Sequence, residues 1–138
     1  MQNSHSLLER DDESDVLPIV AREGLGYTPF SPLAGGWLTG KYRRDEEPPA
    51  GSRMTLRPEP YRHLQDGRVY DALEAFEAIA HERGTSPAAL AIAWLLGHPQ
   101  VTAVVIGPRG PDQLRPALGA VALDLTPLEH DELGALFT

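Results

Sequence analysis

Residues 35–42 contain the glycines and the lysine that a phosphate-binding loop needs. They read GGWLTGKY and match the G-x-x-x-x-G-K part of the P-loop motif. In that motif a Ser or Thr that binds Mg²⁺ follows the lysine, and a helix begins there. Here Tyr42 follows Lys41, and a Pro- and Arg-rich stretch comes next, which disfavours a nucleoside triphosphatase. Two interpretations stay open: a loop that holds a phosphate through backbone N–H groups and one lysine, or a solvated turn.

Arg109 is a second candidate for phosphate binding. It follows the β-branched run at residues 101–106, and a helix is predicted to begin just after it at Pro111. Ligands of α/β proteins bind where a strand ends and a helix begins. A guanidinium beside free helix N–H groups suits a phosphate monoester. The alternative is a salt bridge between Arg109 and Asp112.

Other catalytic and binding motifs are incomplete. A dinucleotide fingerprint begins at Gly24 and Gly26, but Pro29 occupies its third glycine position and the glycines precede the predicted strand. Gly-x-Ser-x-Gly is absent. The histidines have no metal-ligand spacing, so no metal site is predicted, and each is expected at the surface or at a helix cap. They are His5, His63, His81, His98 and His130.

The elements that position these residues alternate between strands and helices. Strands are predicted at residues 25–30 and 101–106, the second buried on both faces, and residues 1–6 fit the end of a third. Residues 41–62 hold several prolines and six of the twelve basic residues, and they predict a long irregular loop. The alternation predicts an α/β fold with right-handed crossovers. Helices are predicted at residues 16–22, ended by Gly24; at 69–83, ended by Gly84; after Ser86 and Pro87; from Pro111; and from Thr126, where Glu129 completes a capping box.

Composition limits the function classes. The chain of 138 residues has a net charge of -8 and no cysteine. Its acidity disfavours nucleic acid and anionic membrane surfaces, and the lack of cysteine excludes disulfides and Cys-based zinc sites. No leader or membrane-spanning stretch is recognised, so a cytoplasmic location is expected. Although the length fits one ordinary domain, two or three strands cannot make a covered parallel sheet, so part of the fold is expected to be missing.

Several stretches together resemble the aldo/keto reductase family. The match covers essentially the whole chain, in order and at the family's spacing. Each stretch alone is of moderate specificity, but the set is specific. The stretches read QNSHSLLER at residues 2–10, TPFSPLAGGWLTGKY at 28–42, GSR at 51–53, AIAWLL at 91–96 and VIGPR at 105–109, with Gln113 and Leu114 beyond them.

The resemblance implies an α/β fold that is a partial (β/α)₈ TIM barrel. Residues 1–138 would be the C-terminal half of the reductase domain, with the end of strand six, strands seven and eight, and their helices. It also implies reduction of aldehydes or ketones with NADPH, without metal or flavin. Phe30 would stack on the nicotinamide ring, Gln2 would meet its carboxamide, and Arg109 would take the 2′-phosphate. The other residues implied to bind NADPH are Ser31, Leu33, Gly35, Thr39, Gly40 and Lys41 along the pyrophosphate, Arg53 nearby, Gly107 with Arg109, and Gln113 at the adenine ribose.

Two departures from the family limit what this chain is expected to do. The family's catalytic Asp, Tyr, Lys and His lie in the first half of the barrel, so no catalytic residue is assigned and the chain alone is expected to be inactive. Pro116 and Ala117 stand where the family usually has Glu-Asn, which should weaken the grip on adenine. Three interpretations stay open: a reductase whose first half is lost, encoded separately as a complementary N-terminal half-barrel, or left out by a misplaced start; a non-catalytic module that binds NADP(H) or a partner protein; and a degenerate fragment whose exposed strand edges drive aggregation or self-association.

Overall fold

The computed structural model describes residues 1–138, and helices dominate it. Six α-helices and two 3₁₀ helices make up the regular secondary structure. None of the helices is both long enough and apolar enough to cross a membrane. The α-helices are α1 (Asp12–Glu23), α2 (Arg53–Leu56), α3 (Gly67–Glu82), α4 (Pro87–Leu96), α5 (Pro111–Ala120) and α6 (Pro127–Ala135), and the 3₁₀ helices are Ala34–Thr39 and Glu59–Leu64.

The predicted helices are confirmed, most closely where short-range capping sets their ends. The hydroxyl of Ser86 accepts a hydrogen bond from the Ala89 N–H at 3.1 Å, which begins α4. Thr126 and Glu129 form the predicted capping box of α6, with both reciprocal bonds present. The start of α1 at residue 16 is wrong: the helix begins at Asp12, because acidic side chains in its first turn stabilise the helix N-terminus.

The predicted strands are present only as extended segments. Residues 1–5, 27–30 and 102–105 lie side by side through backbone hydrogen bonds, such as those from His5 N–H to the Phe30 carbonyl and from Val105 N–H to the Pro29 carbonyl. Only an isolated parallel bridge between Ser4 and Phe30 results. A regular ladder toward residues 102–105 does not form because Pro29 has no N–H to donate.

Residues 101–106 are not buried on both faces, contrary to the prediction. Val104 and Ile106 pack against the helical core, whereas Val105 between them is 41% exposed. The helices therefore cover one side of this segment, and no second layer covers the other. A parallel strand needs packing layers on both faces to be buried as predicted.

Helix α4 lies at the centre of the core. Leu90, Trp94 and Leu95 are fully buried, as their spacing predicts, and they pack against Phe76 of α3. A second buried cluster holds the predicted irregular loop in place, and that loop contains α2 and the 3₁₀ helix Glu59–Leu64. The second cluster is made of Ala34, Trp37, Tyr42, Met54 and Leu64.

His5 is buried in the core, whereas the sequence predicts it at the surface or at a cap. Its ring centroid lies 5.8 Å from that of Trp94 and 6.1 Å from that of Tyr27, and neither ring nitrogen has a hydrogen-bond partner. Burial lowers the pKa of His5 below its ordinary value of 6.5, although the Glu13 carboxylate acts in the opposite direction. Of the other histidines, His63 and His81 are exposed as predicted, whereas His98 and His130 are half-buried.

Acidification is expected to destabilise this fold in two ranges. Because the pKa of His5 is lowered on folding, the unfolded chain binds more protons below pH 6.5, and the free energy of unfolding falls there. Glu13 acts at lower pH. Burial opposes its ionisation, but hydrogen bonds from Arg10 hold its pKa below the usual 4.5, so its stabilising effect is lost as pH falls below that value.

His5→Phe tests the first range. The phenylalanine ring keeps the aromatic packing and removes the proton-binding site. Urea unfolding measures how far the free energy of unfolding falls between about pH 7.5 and about pH 5.5. This fall should be smaller for His5→Phe than for the native chain. Some loss remains, because burial also lowers the pKa of His98. An unchanged loss in His5→Phe would show that His5 does not cause the acid sensitivity.

Candidate functional site

Residues 31–40 form a loop whose backbone repeatedly enters the left-handed region. Ser31 and Ala34 do so without being glycine, with φ angles of 55° and 49°. Gly35, Gly36 and Gly40 follow with φ angles of 66°, 97° and 84°. Left-handed non-glycine residues are uncommon and concentrate at binding sites. Turns of this kind can direct successive backbone N–H groups toward a bound anion.

Two glycines of this loop leave room for side chains that cover them. A Cβ atom on Gly36 would lie 2.2 Å from Cε of Lys41, and one on Gly35 would lie 2.5 Å from Cζ of Tyr61. The Thr39 hydroxyl donates to the Gly36 carbonyl at 2.6 Å and fixes the turn. The lysine and the glycine backbone that the sequence assigns to a phosphate are therefore in contact.

Gly36→Ala is expected to destabilise the chain by about 1–3 kcal/mol and to weaken any phosphate binding by this loop. Alanine is strained at φ 97°, and its methyl group would displace Lys41. Gly24→Ala is the matched control, because Gly24 is also left-handed but has nothing within 4 Å of an added Cβ. Urea unfolding should show a loss for both variants, whereas an NADPH titration should change only for Gly36→Ala. If Gly36→Ala binds NADPH as tightly as the native chain does, the loop does not take part in cofactor binding.

The loop is attached to the core through Trp37 and Tyr42. Their ring centroids are 4.9 Å apart in the second buried cluster. The Tyr42 hydroxyl donates to the Gly35 carbonyl and accepts from the Met54 N–H, each at 3.3 Å. The tyrosine that breaks the P-loop motif is therefore a structural anchor. It holds the start of α2, and with it Arg53, next to the glycine loop.

Arg109 approaches the same region from a distant part of the chain. Its Nη1 donates to the Gly51 carbonyl at 3.4 Å, and its backbone N–H donates to Oε1 of Gln113 at 2.8 Å. It forms no ion pair with Asp112, so the alternative role considered for Arg109 is not realised. The structure thus brings residues 51–53 and 107–113 together, as the assignment of Arg53, Arg109 and Gln113 to one ligand requires.

Three cations at these loops have no acidic partner. Lys41, Arg53 and Arg109 take part in none of the ion pairs of the chain. Arg43 and Arg44, in contrast, are paired with acidic residues of α3. Arg53 and Arg109 are therefore unpaired cations on loops that the Arg109–Gly51 hydrogen bond joins, in a protein of net charge -8.

The residues predicted to meet the nicotinamide lie on two neighbouring extended segments. Phe30 is 42% exposed, and Gln2 is also exposed. Backbone hydrogen bonds align the segments so that Ser4 lies opposite Phe30 and Gln2 lies opposite Thr28. No hydrogen bond links the side chain of Gln2 or Phe30 to Lys41 or Arg109, so the predicted residues fall into two groups.

Other predicted positions have different surroundings. Leu33 is half-buried and packs against two core clusters, and its carbonyl accepts hydrogen bonds from the Gly36 and Leu38 N–H groups. Gly107 is exposed, with nothing within 4 Å of an added Cβ. Ala117, at the weakened adenine end, is buried against Ala93 of α4. Its methyl group therefore serves packing between α4 and α5.

The sequence patterns missed a cavity beside Phe30. Its volume is about 490 Å³, and Phe30 and Ser31 contribute to its wall. Glu9 and Asp11 line it from the segment before α1, and Tyr61 lines it from the 3₁₀ helix Glu59–Leu64. No motif marks these residues, because they come from separate segments. We call this space the Phe30 cavity.

Comparison with known proteins decides the family. The model of the aldo/keto reductase family matches residues 1–137. The chain belongs to the aldo/keto reductase family. This confirms the resemblance found in the sequence. Members of the family use NAD(P)H.

Similar aldo/keto reductase relatives are all much longer than this chain. It is 40% identical to the uncharacterised oxidoreductase YrpG of Bacillus subtilis over 90% of its own length and 36% of that protein. It is 37% identical to L-glyceraldehyde 3-phosphate reductase of Escherichia coli K12, over 82% of this chain and 34% of that protein. The chain therefore spans little more than a third of these relatives.

A solved structure shows the same partial match. The glycerol dehydrogenase of Gluconobacter oxydans superposes with a TM-score of 0.80 at 28% identity, over 98% of this chain and 41% of that one. This aldo/keto reductase chain therefore has the fold of part of a family member. The expected relation to the barrel is confirmed at that level, although the individual strands are not.

Proposed function

We propose that this chain is the part of an aldo/keto reductase that holds NADP(H) for the reduction of a carbonyl compound. The observation that carries the proposal is the hydrogen bond from Arg109 to Gly51. It brings an unpaired guanidinium to the loop that follows the glycine turn and Lys41. Family membership and the lack of acidic partners for these cations support the same reading.

The residues present fit NADP(H), which carries a pyrophosphate and a separate 2′-phosphate. Lys41, which lies directly against Gly36, and the N–H groups of the glycine turn that are not already bonded within it would bind the pyrophosphate. Arg109 would bind the 2′-phosphate, as a guanidinium can with two parallel hydrogen bonds. When bound, NADPH supplies the hydride, and the chain binds and orients it. The proposed set is Gln2, Phe30, Ser31, Leu33, Gly35, Thr39, Gly40, Lys41, Arg53, Gly107, Arg109 and Gln113.

We also propose that residues 1–138 form the C-terminal half of the reductase domain, from the end of strand six through strand eight. The parallel order of the extended segments at residues 1–5, 27–30 and 102–105 supports this. The exposed Val105 at the edge of this group suits a packing layer from a complementary N-terminal half-barrel. A cytoplasmic location belongs to the same proposal.

Carbonyl reduction by this chain alone is not expected. The positions of the family's catalytic Asp, Tyr, Lys and His have no counterpart in the resemblance, and proton transfer from a positioned acid contributes about 10²–10⁴ in rate. The proposed role is therefore cofactor binding, with proton transfer supplied by the rest of a barrel.

An NADPH fluorescence titration of the purified chain tests this function. We expect saturable binding, and no NADPH oxidation when a simple aldehyde is added. Failure to bind at millimolar NADPH would refute the cofactor role. NADPH oxidation that survived both Arg109→Ala and Lys41→Ala would show that the site lies elsewhere.

A further inference from the structure

The Phe30 cavity has a charge opposite to that of the proposed phosphate site. Glu9 and Asp11 are two of the residues that line it, and both are exposed. One oxygen of Glu9 accepts from the Ser4 hydroxyl at 2.7 Å, and Asp11 makes no capping hydrogen bond to α1 and no ion pair. Both carboxylates therefore keep oxygen atoms free for a ligand.

The positive groups nearest these carboxylates do not neutralise them. Arg10 also lines the cavity, but its guanidinium donates two hydrogen bonds to Glu13 and one to the Gly134 carbonyl, and it lies over the ring of Trp94. His63 also lines the cavity; it is exposed and makes no ion pair. With Arg10 engaged by Glu13, the carboxylates of Glu9 and Asp11 leave the cavity with an excess of negative charge.

Two aromatic rings complete the wall. Phe30 is 42% exposed, and Tyr61 lies across Gly35 at the boundary with the phosphate-binding loop. An aromatic face attracts a cation, and aromatic sites in proteins recognise ammonium groups that carry alkyl substituents. Aromatic rings and unpaired carboxylates in one concave space are complementary to an organic ammonium ion.

We propose that the Phe30 cavity binds the ammonium group of a small organic cation. Combined with the proposed function, on which this step rests, the cavity is a subsite for a carbonyl substrate that carries an amine. Phe30 belongs both to this cavity and to the predicted nicotinamide position, so the carbonyl of such a substrate would be near the hydride donor. The carboxylates disfavour phosphorylated or carboxylated carbonyl compounds by like-charge repulsion.

Comparing choline with its neutral isostere, in which carbon replaces the ammonium nitrogen, tests whether the cavity recognises the charge or only the apolar surface of the ligand. Ligand-observed NMR with the purified chain at about pH 8 should show millimolar binding of choline. The neutral isostere should bind at least about threefold more weakly. Equal binding of the two probes, or no binding of choline, overturns the proposal.

Charge-neutral variants locate the site. Glu9→Gln and Asp11→Asn should each weaken choline binding about three- to fivefold. Asp15 is an exposed acidic residue of α1 outside the cavity, so Asp15→Asn is the matched control and should leave the choline affinity unchanged. Choline affinity unaffected by both cavity variants contradicts the assignment.

A repeat with saturating NADPH separates this proposal from the proposed function. Choline should still bind, whereas displacement of choline by NADPH would show that the cavity belongs to the cofactor and would refute the proposal. If choline binds as expected but NADPH does not bind at all, the cavity stands and the cofactor role fails.

Discussion

Arg109→Ala is expected to weaken NADPH binding about 10- to 100-fold, because a charge-assisted contact to phosphate is worth about 1.5–3 kcal/mol. The side chain is exposed and has no acidic partner, so its removal leaves no buried charge. Its one protein contact is a 3.4 Å hydrogen bond to Gly51, which predicts little change in the free energy of unfolding. NADPH fluorescence titration measures the affinity, and urea unfolding measures the stability.

NADH provides the internal control for this prediction. It lacks the 2′-phosphate, so Arg109→Ala should change its affinity far less than that of NADPH. Arg22→Ala removes an exposed arginine at the end of α1, remote in the chain from these loops, and should change neither affinity. Equal losses for NADPH and NADH would mean that Arg109 supports the loop and does not recognise the 2′-phosphate.

Trp37→Ala is expected to lower the free energy of unfolding by about 3–5 kcal/mol and to abolish NADPH binding. Trp37 is 1% exposed, and its ring lies 4.9 Å from that of Tyr42 and 5.7 Å from that of Tyr70. The substitution would leave a cavity between the glycine loop and α3. Because the loop is attached to the core through this ring, the left-handed turn would lose its support.

Trp37→Phe is the control for this loss. The indole Nε1 has no hydrogen-bond partner, so phenylalanine gives up no hydrogen bond and retains an aromatic ring. Urea unfolding should give a loss well below that of alanine, and NADPH should still bind. If Trp37→Ala unfolds at the same urea concentration as the native chain, the second cluster does not hold the loop.

The helices could be predicted because their signals are local. Ser86 and Thr126 satisfy N–H groups within three residues of themselves, and Gly24 ends α1 by its own conformation. The strands could not be assigned in the same way. Whether residues 101–106 form a buried strand depends on neighbours on both sides, and a run of β-branched residues does not show which neighbours are present.

The residues proposed to bind phosphate can be picked out in the sequence, but their arrangement cannot. Lys41 and Arg109 stand out in their own segments, whereas the bond from Arg109 to Gly51 joins residues 58 positions apart. His5 shows the same limit, because its burial comes from the rings of Trp94 and Tyr27, which are distant in the chain. The Phe30 cavity was missed for this reason as well.

Hydrogen–deuterium exchange with and without NADPH tests most directly the claim that these loops hold the cofactor. We expect NADPH to slow amide exchange in residues 31–41, 51–53 and 107–113 and to leave exchange in α1 and α6 unchanged. Unchanged exchange in all three loops at an NADPH concentration that saturates the fluorescence signal, or protection confined to another surface, would contradict that claim.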